Sequence, residues 1–289
     1  SSTIVNLPTE IRSEKFISKS DGSWTQELVQ HNYGQEYKYQ LQTKNYSTYD
    51  IETFTLYDRL PYVGDKNGSG FTPVLTKALD VESKYTVYYH TSTTLPATPY
   101  DATQSSGWVT ADQVADFTKV TAIKIVLNKG EKIVPGEVVN FQVDMKTPEY
   151  TDGATDTLTA TNVFYTNRDA ENPKVFGETN AVSNQLPQYI PVAKIWSGEK
   201  DASISSIKVE LSSKSNPDVV LATMILNDAN NWKGIFKLTI DGKTLDPTVI
   251  DYQVKEVIDE NYGKDYDTVI TGDATQKEGF TITNTRKTT

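Results

Sequence analysis

Three short strings decide the reading of this chain: V-A-K-I-W at 192–196, Y-Q-V-K-E-V at 252–257 and F-T-I-T-N-T at 280–285. Each is a strand-length run rich in β-branched and aromatic residues, and each predicts a β-strand. Each also carries one residue with chemistry to offer: Lys194, Glu256 and Asn284. Around them the same pattern predicts strands at 207–211, 219–226, 234–240, 249–258 and 279–285. Together they make a unit of about 100 residues, the size of one β-sandwich.

Working upstream, L-P-Q-Y-I-P at 186–191 brackets a short connector with two prolines and sets a boundary. The expected organisation is a tail over 1–13, a first β-sandwich over 14–188 and a second over 189–289. The first unit reads strand after strand. E-Y-K-Y-Q-L-Q at 36–42 alternates with period two, the mark of a half-buried strand. Further strands are expected at 51–57, 85–90, 122–127, 138–145 and 158–165. Turns are expected at 45–48, 64–70 (G-D-K-N-G-S-G), 135–136 and 152–153, with a short helix or turn at 112–118. Regularly spaced short strands favour sandwiches over βαβ units. The fold class is therefore all-β: two tandem immunoglobulin-like β-sandwiches, the first with long loops at 66–79 and 92–108.

Bulk composition narrows the function. The 289 residues are 23% charged and 37% hydrophobic, enough for a sizeable core. A net charge of −10 argues against nucleic acid and against anionic membrane surfaces as partners. With no cysteine there are no disulfides, thiol nucleophiles or cysteine metal sites. No apolar run approaches the roughly 18 residues of a membrane helix. The polar opening, residues 1–14, lacks the apolar core of a signal peptide, so the chain reads as a mature fragment.

In order along the chain, K-I-W, S-I-K-V-E-L (206–211), N-D-A-N-N-W-K (227–233), Y-Q-V-K-E-V and F-T-I-T-N-T resemble the CNA-B domain of Gram-positive surface proteins and pilins. The resemblance covers 192–286. It implies an intramolecular isopeptide bond between Lys194 and Asn284, promoted by Glu256. The chemistry stands on its own. Burial favours a neutral amine over an ammonium and a neutral carboxyl over a carboxylate. Neutral Glu256 can then donate to the Asn284 carbonyl, the amine adds, and ammonia leaves while the carboxyl shuttles protons. Taken singly, a strand lysine is ordinarily a snorkelling side chain; the ordered set of three is what points to a cross-link.

Residues 14–186 resemble the longer CNA-A-like stalk modules that accompany CNA-B domains. The resemblance rests on E-Y-K-Y-Q-L-Q-T-K-N (36–45), F-T-L-Y-D-R-L-P-Y-V-G-D (54–65), F-T-P-V-L (71–75), Y-T-V-Y-Y-H-T-S (85–92) and I-V-P-G-E-V-V-N-F-Q-V-D-M (133–145). Such modules often hold a lysine–asparagine bond with an aspartate helper. Asp58 fits the helper, Lys15 the nucleophile and Asn162 the asparagine. Lys19 is an alternative lysine, and Asn180 and Asn184 are alternative asparagines. Glu14 to Ile17 also loosely parallels Ala193 to Trp196.

Other constellations fail. His31 and His90 lie in separate segments and are expected as surface polar residues. No calcium loop, Walker loop or G-x-S-x-G elbow is present, so no cofactor or metal is expected. L-P-A-T-P at 95–99 has proline where a sortase signal needs glycine, and reads as a loop. E-N-P-K at 171–174 is a partial echo of a pilin linkage motif. The expected role is a structural stalk or shaft segment of an extracellular, cell-wall-anchored surface protein. It is not an enzyme beyond a single self-reaction, and its partners are other domains of the same surface protein or pilus. A second reading makes the first unit a ligand-binding adhesin module that meets a host matrix protein or glycan through loop aromatics Tyr62, Tyr100 and Trp108.

Overall fold

The period-two pattern at 36–42 becomes a ten-residue strand, Glu36–Asn45, in which Tyr37, Tyr39, Leu41, Thr43 and Asn45 are buried and Glu36 and Lys38 face solvent. The computed structural model describes residues 11–150, 158–187, 189–237, 239–240, 243–244, 251–274 and 278–288. The chain divides into two compact units, Ser1–Glu149 with Thr159–Gln185, and Tyr150–Leu158 with Leu186–Thr289. Of the tail expected over 1–13, residues 1–10 lie outside the described residues. Ile11, Arg12 and Ser13 are already strand, paired with Asn45, Lys44 and Thr43. The turn expected at 152–153 also lies outside the described residues.

In the first unit a five-stranded sheet runs in the order Trp24–Thr25, Ile11–Ser18, Glu36–Asn45, Val138–Lys146, Val74–Leu75. A second five-stranded sheet runs Gly177–Glu178, Tyr165–Asn167, Thr55–Arg59, Ala122–Leu127, Tyr85–His90. A third, of three strands, runs Leu158–Asn162, Val182–Leu186, Val29–Gln30. Ile17, Tyr39, Leu41, Phe141 and Val143 from the first sheet share one core with Leu56, Ile123 and Ile125 from the second. That shared core makes the unit a sandwich. Expected strand 51–57 is shorter than its apolar pattern suggests. Ile51 makes only an isolated bridge to Ile133, and the strand proper is Thr55–Arg59.

The second unit is a smaller sandwich. Its four-stranded sheet runs Lys233–Lys237, Tyr189–Ser197, Phe280–Arg286, Tyr266–Gly272. Its three-stranded sheet runs Ala222–Asn227, Ser206–Ser213, Tyr252–Val257. Ile190, Val192, Val209, Leu211, Tyr252, Val254, Phe280 and Ile282 close the core between them. The first strand of the unit and its last, Phe280–Arg286, lie side by side in parallel, with Lys194 opposite Ile282 and Trp196 opposite Asn284. Residues 249–250 of the expected strand 249–258 lie outside the described residues.

Neither histidine is a surface residue. His31 is buried and stacked on Tyr37 at 4.7 Å between ring centroids, and His90 is buried against Trp108. His31 Nε2 donates to the Ser18 carbonyl at 2.9 Å, while Nδ1 accepts from Asn184 Nδ2 at 3.1 Å. Both ring nitrogens are thus used by the neutral imidazole, which is why a polar residue is tolerated there. Burial pushes the His31 imidazolium down from its ordinary value. As pH falls below about 6.5, the unfolded chain therefore takes up a proton that the folded unit refuses, and stability falls. We expect His31→Gln to flatten this acid-side loss in thermal melts of the full chain. An unaltered pH slope would contradict the assignment.

Gly279 sets the entry of the last strand. Its φ is +65°, and a Cβ there would lie 2.0 Å from the Pro191 carbonyl oxygen. Only glycine permits both the left-handed conformation and that approach. Gly279→Ala should destabilise the second unit by at least about 1 kcal/mol, read as a lowered unfolding midpoint. An unchanged midpoint would show that the close approach is not needed.

Candidate functional site

Lys15 sits on the first strand of the first unit, opposite Leu41, at a position that alternation turns into the core. Asp58 lies on Thr55–Arg59 of the facing sheet, on the same face as Leu56. Asn162 ends the strand Leu158–Asn162 of the three-stranded sheet. Three sheets thus each send one polar side chain to a single point. Lys15 Nζ donates to Asp58 Oδ2 at 2.5 Å, and Asn162 Nδ2 donates to Asp58 Oδ1 at 2.7 Å. The lysine and aspartate side chains are both 0% exposed. The Tyr39 ring lies 4.2 Å from the Lys15 nitrogen, with Phe164 beyond it. Burial pulls the Lys15 ammonium below its ordinary range, against the opposing pull of Asp58.

The second unit repeats the arrangement on different strands. Lys194 and Asn284 come from the two parallel neighbours, and Glu256 from the strand Tyr252–Val257 of the facing sheet. Lys194 Nζ lies 3.0 Å from Glu256 Oε2. That contact is an ion pair without the alignment of a hydrogen bond, since the nitrogen is buried and lacks a hydrogen-bond partner. Asn284 Nδ2 donates to Glu256 Oε1 at 2.9 Å and to Oε2 at 3.1 Å. The lysine and asparagine nitrogens thus meet on one carboxylate oxygen. Trp196 covers the lysine nitrogen at 3.7 Å and is itself flanked by Trp232 and Tyr266. Burial lowers the Lys194 ammonium from its ordinary value more than Glu256 holds it up.

Each triad has what aminolysis of a primary amide requires. There is an amine whose charged form is disfavoured by burial and an amide on the same carboxyl group as that amine, and that group is placed to carry protons. Removing the carboxylate from either site while the lysine stays charged would leave a buried, uncompensated ammonium, a loss of about 3–5 kcal/mol. One detail differs from the sequence expectation. Glu256 touches the Asn284 amide nitrogen and not its carbonyl, because a carboxylate that only accepts takes the NH₂ group. The carbonyl oxygen accepts instead from Thr268 Oγ1 at 3.0 Å.

Thr268 was invisible in the sequence reading because the strand that carries it, Tyr266–Gly272, was not expected. After Tyr266 every residue of that strand is exposed, so no alternation marks it. The β-branched run Thr268-Val269-Ile270-Thr271, closed by Gly272, was the available signal. The alternatives in the first unit go elsewhere. Lys19 is exposed. The Asn180 side chain pairs with the backbone of Lys15, accepting from its N–H and donating to its carbonyl, both at 2.9 Å. Asn184 serves His31.

The loop aromatics do not converge. Trp108 donates its indole N–H to the Ala102 carbonyl at 3.0 Å and packs edge-on to Tyr57. Tyr62 stacks under Arg59, and Tyr100 lies near Lys174. The loop 92–108 contains a short helix, Pro99–Gln104. Among the described residues no cluster of His, Cys, Asp or Glu could hold a metal ion, and no helix is long and apolar enough to cross a membrane.

No curated protein matches the chain. Among solved structures, domains D2 and D3 of the major pilin SpaD from Corynebacterium diphtheriae align over 95% of this chain and 99% of that one, at 14% identity and a TM-score of 0.39. BcpA, the major pilin subunit of Bacillus cereus, aligns over 96% of this chain and 71% of that one, at 15% identity and a TM-score of 0.33. The pilus adhesin SpaC from Lactobacillus rhamnosus GG aligns over 82% of this chain, at 15% identity and a TM-score of 0.29. This chain spans 25% of SpaC and 62% of a second BcpA structure. At these scores the likenesses decide neither fold nor role. Residues 190–285, by contrast, match the family profile of the Cna protein B-type domain, and those residues contain Lys194, Glu256 and Asn284. Over residues 190–285 the C-terminal unit is similar to the Cna protein B-type domain.

Proposed function

We propose that this chain is a load-bearing segment of an extracellular, cell-wall-anchored stalk or pilus shaft. Each unit is locked by one self-formed amide, Lys15 to Asn162 and Lys194 to Asn284, with Asp58 and Glu256 as proton carriers. Its partners on this reading are further domains of the same surface protein or pilus. The observation that carries it is the recurrence of one arrangement, a buried lysine and an asparagine on a single carboxylate, in two sandwiches built from different strands. A turnover enzyme needs a regenerated site open to substrate. These triads sit inside their cores and offer one reaction each.

The positions of the two amides divide the chain mechanically. Tension entering at the N-terminus passes from Lys15 across the first amide to Asn162, along the backbone to Lys194, and across the second amide to Asn284. Residues 16–161 and 195–283 then carry no load. Between the two amides the loaded backbone is the stretch 163–193, whose short strands Tyr165–Asn167, Gly177–Glu178 and Val182–Leu186 are held by hydrogen bonds and packing alone.

Pulling the full chain by its ends in a single-molecule instrument tests this. The lengthening should stay below about 110 Å, the extended length of the unshielded stretch less the span it already has when folded, however high the force. Asp58→Ala and Glu256→Ala should each release the length of one unit. Release of both units in the unaltered chain would refute the reading.

A further inference from the structure

The buried Asn284 amide has two ends, and the structure assigns them to different partners. Its nitrogen is held by both oxygens of Glu256, at 2.9 and 3.1 Å. One of those oxygens also faces Lys194 at 3.0 Å. In this arrangement Glu256 has no contact left for the carbonyl oxygen. That oxygen accepts from Thr268 Oγ1 at 3.0 Å. Thr268 stands directly opposite Asn284 in the antiparallel ladder, so the two side chains share a face of the sheet. Asn284 is fully buried, whereas Thr268 is exposed on its strand. Packing therefore does not account for this threonine, but its contact with the carbonyl oxygen does.

We propose that Thr268 is a catalytic residue of amide formation in the second unit: its hydroxyl binds the Asn284 carbonyl oxygen and stabilises the charge that develops there as Lys194 adds. The proposal rests on the reading that Lys194 and Asn284 become joined. The steps balance as follows. The Lys194 ammonium gives one proton to Glu256 Oε2, and its freed lone pair forms a bond to Asn284 Cγ. The carbonyl π pair moves to Oδ1, where the Thr268 O–H donates to it. Glu256 returns its proton to Nδ2 and takes another from the added nitrogen. The carbonyl re-forms, the Cγ–Nδ2 bond breaks, and ammonia leaves with one proton remaining on Glu256. Glu256 thus manages the two nitrogens and Thr268 manages the oxygen. This division is that of an oxyanion donor and a general acid–base.

The Glu256 carboxylate, which only accepts, fixes which way the amide points, and the Thr268 hydroxyl, which can donate, takes the carbonyl end. The leaving nitrogen thus lies on the carboxyl that must protonate it, and Oδ1 lies on the Thr268 hydroxyl. A flipped amide would put the carbonyl oxygen on Glu256 and the leaving group towards the strand edge. The hydroxyl therefore acts during the reaction, by charge stabilisation.

The test follows the reaction in time. The full chain is made by cell-free translation, quenched in acid at intervals and digested, and the fraction of the Lys194 peptide joined to the Asn284 peptide is read by mass spectrometry. Thr268→Val keeps the shape and β-branching of the side chain without its hydroxyl, and Thr268→Ser keeps the hydroxyl. We expect Thr268→Val to slow joining about tenfold, less than the hundred- to thousandfold seen for enclosed oxyanion donors because Thr268 is exposed. We expect Thr268→Ser to remain near the unaltered rate. Joining at the unaltered rate in Thr268→Val would overturn the role of Thr268 and leave the cross-link reading intact. Equal slowing in Thr268→Ser would also overturn it, because the defect would then follow the fold of the strand and not the hydroxyl. Absence of any joined peptide in the unaltered chain would overturn the cross-link reading and this proposal with it.

Discussion

A lysine ammonium inside a sandwich core is the constraint from which the rest follows. Lys15 and Asp58 are wholly enclosed, and Lys194 lies under an indole with a carboxylate on its other side. Removing an ion of this kind from water costs several kcal/mol even when a partner compensates it. Hydrophobic side chains of similar size would fill the same space at no such cost. A core that keeps the ion pair, and adds an asparagine to the same carboxylate, holds a reactive arrangement in place of a restful one. Conversion to a neutral amide removes the buried charges and leaves an ordinary hydrogen-bonding group behind.

Strand order gives the arrangement its mechanical sense. In the second unit the first and last strands are parallel neighbours, so the ends of the unit emerge from opposite ends of one ladder. Tension then shears that ladder and loads its hydrogen bonds together, the strongest way to pull on a sheet. A covalent link between Lys194 and Asn284 lies within that same pair of strands. In a chain without cysteine, the proposed link would stand where a secreted protein of different composition would place a disulfide. In the first unit the proposed link would join strands of different sheets, and Asn180 ties the closing segment to the backbone of Lys15.

Both triads were legible through ordered strings that resemble known modules, and strand periodicity agrees with their lysines. Strand periodicity places Lys15 in register with Ile17, and Lys194 in register with Val192. The structure brings Lys15, Asp58 and Asn162 to one point and Lys194, Glu256 and Asn284 to another. What escaped were residues whose placement depends on long-range pairing. Thr268 lies on an exposed edge strand with no alternation, and only its register with Asn284 gives it meaning. Local polarity points His31 and His90 to the surface because it says nothing about Ser18, Asn184 or Ser106, whose carbonyl and amide groups satisfy them inside. The shift of the first strand to Ile11 came from pairing with Asn45, which no local pattern reveals.

The central claim is covalent, so a covalent measurement tests it most directly. Proteolytic digestion of the folded, full chain followed by tandem mass spectrometry distinguishes a branched peptide from two linear ones. The account predicts two branched species. One joins the peptides that contain Lys15 and Asn162, the other those that contain Lys194 and Asn284, and each is lighter than the sum of its parts by one ammonia. Recovery of all four peptides as unlinked, full-mass species would contradict it.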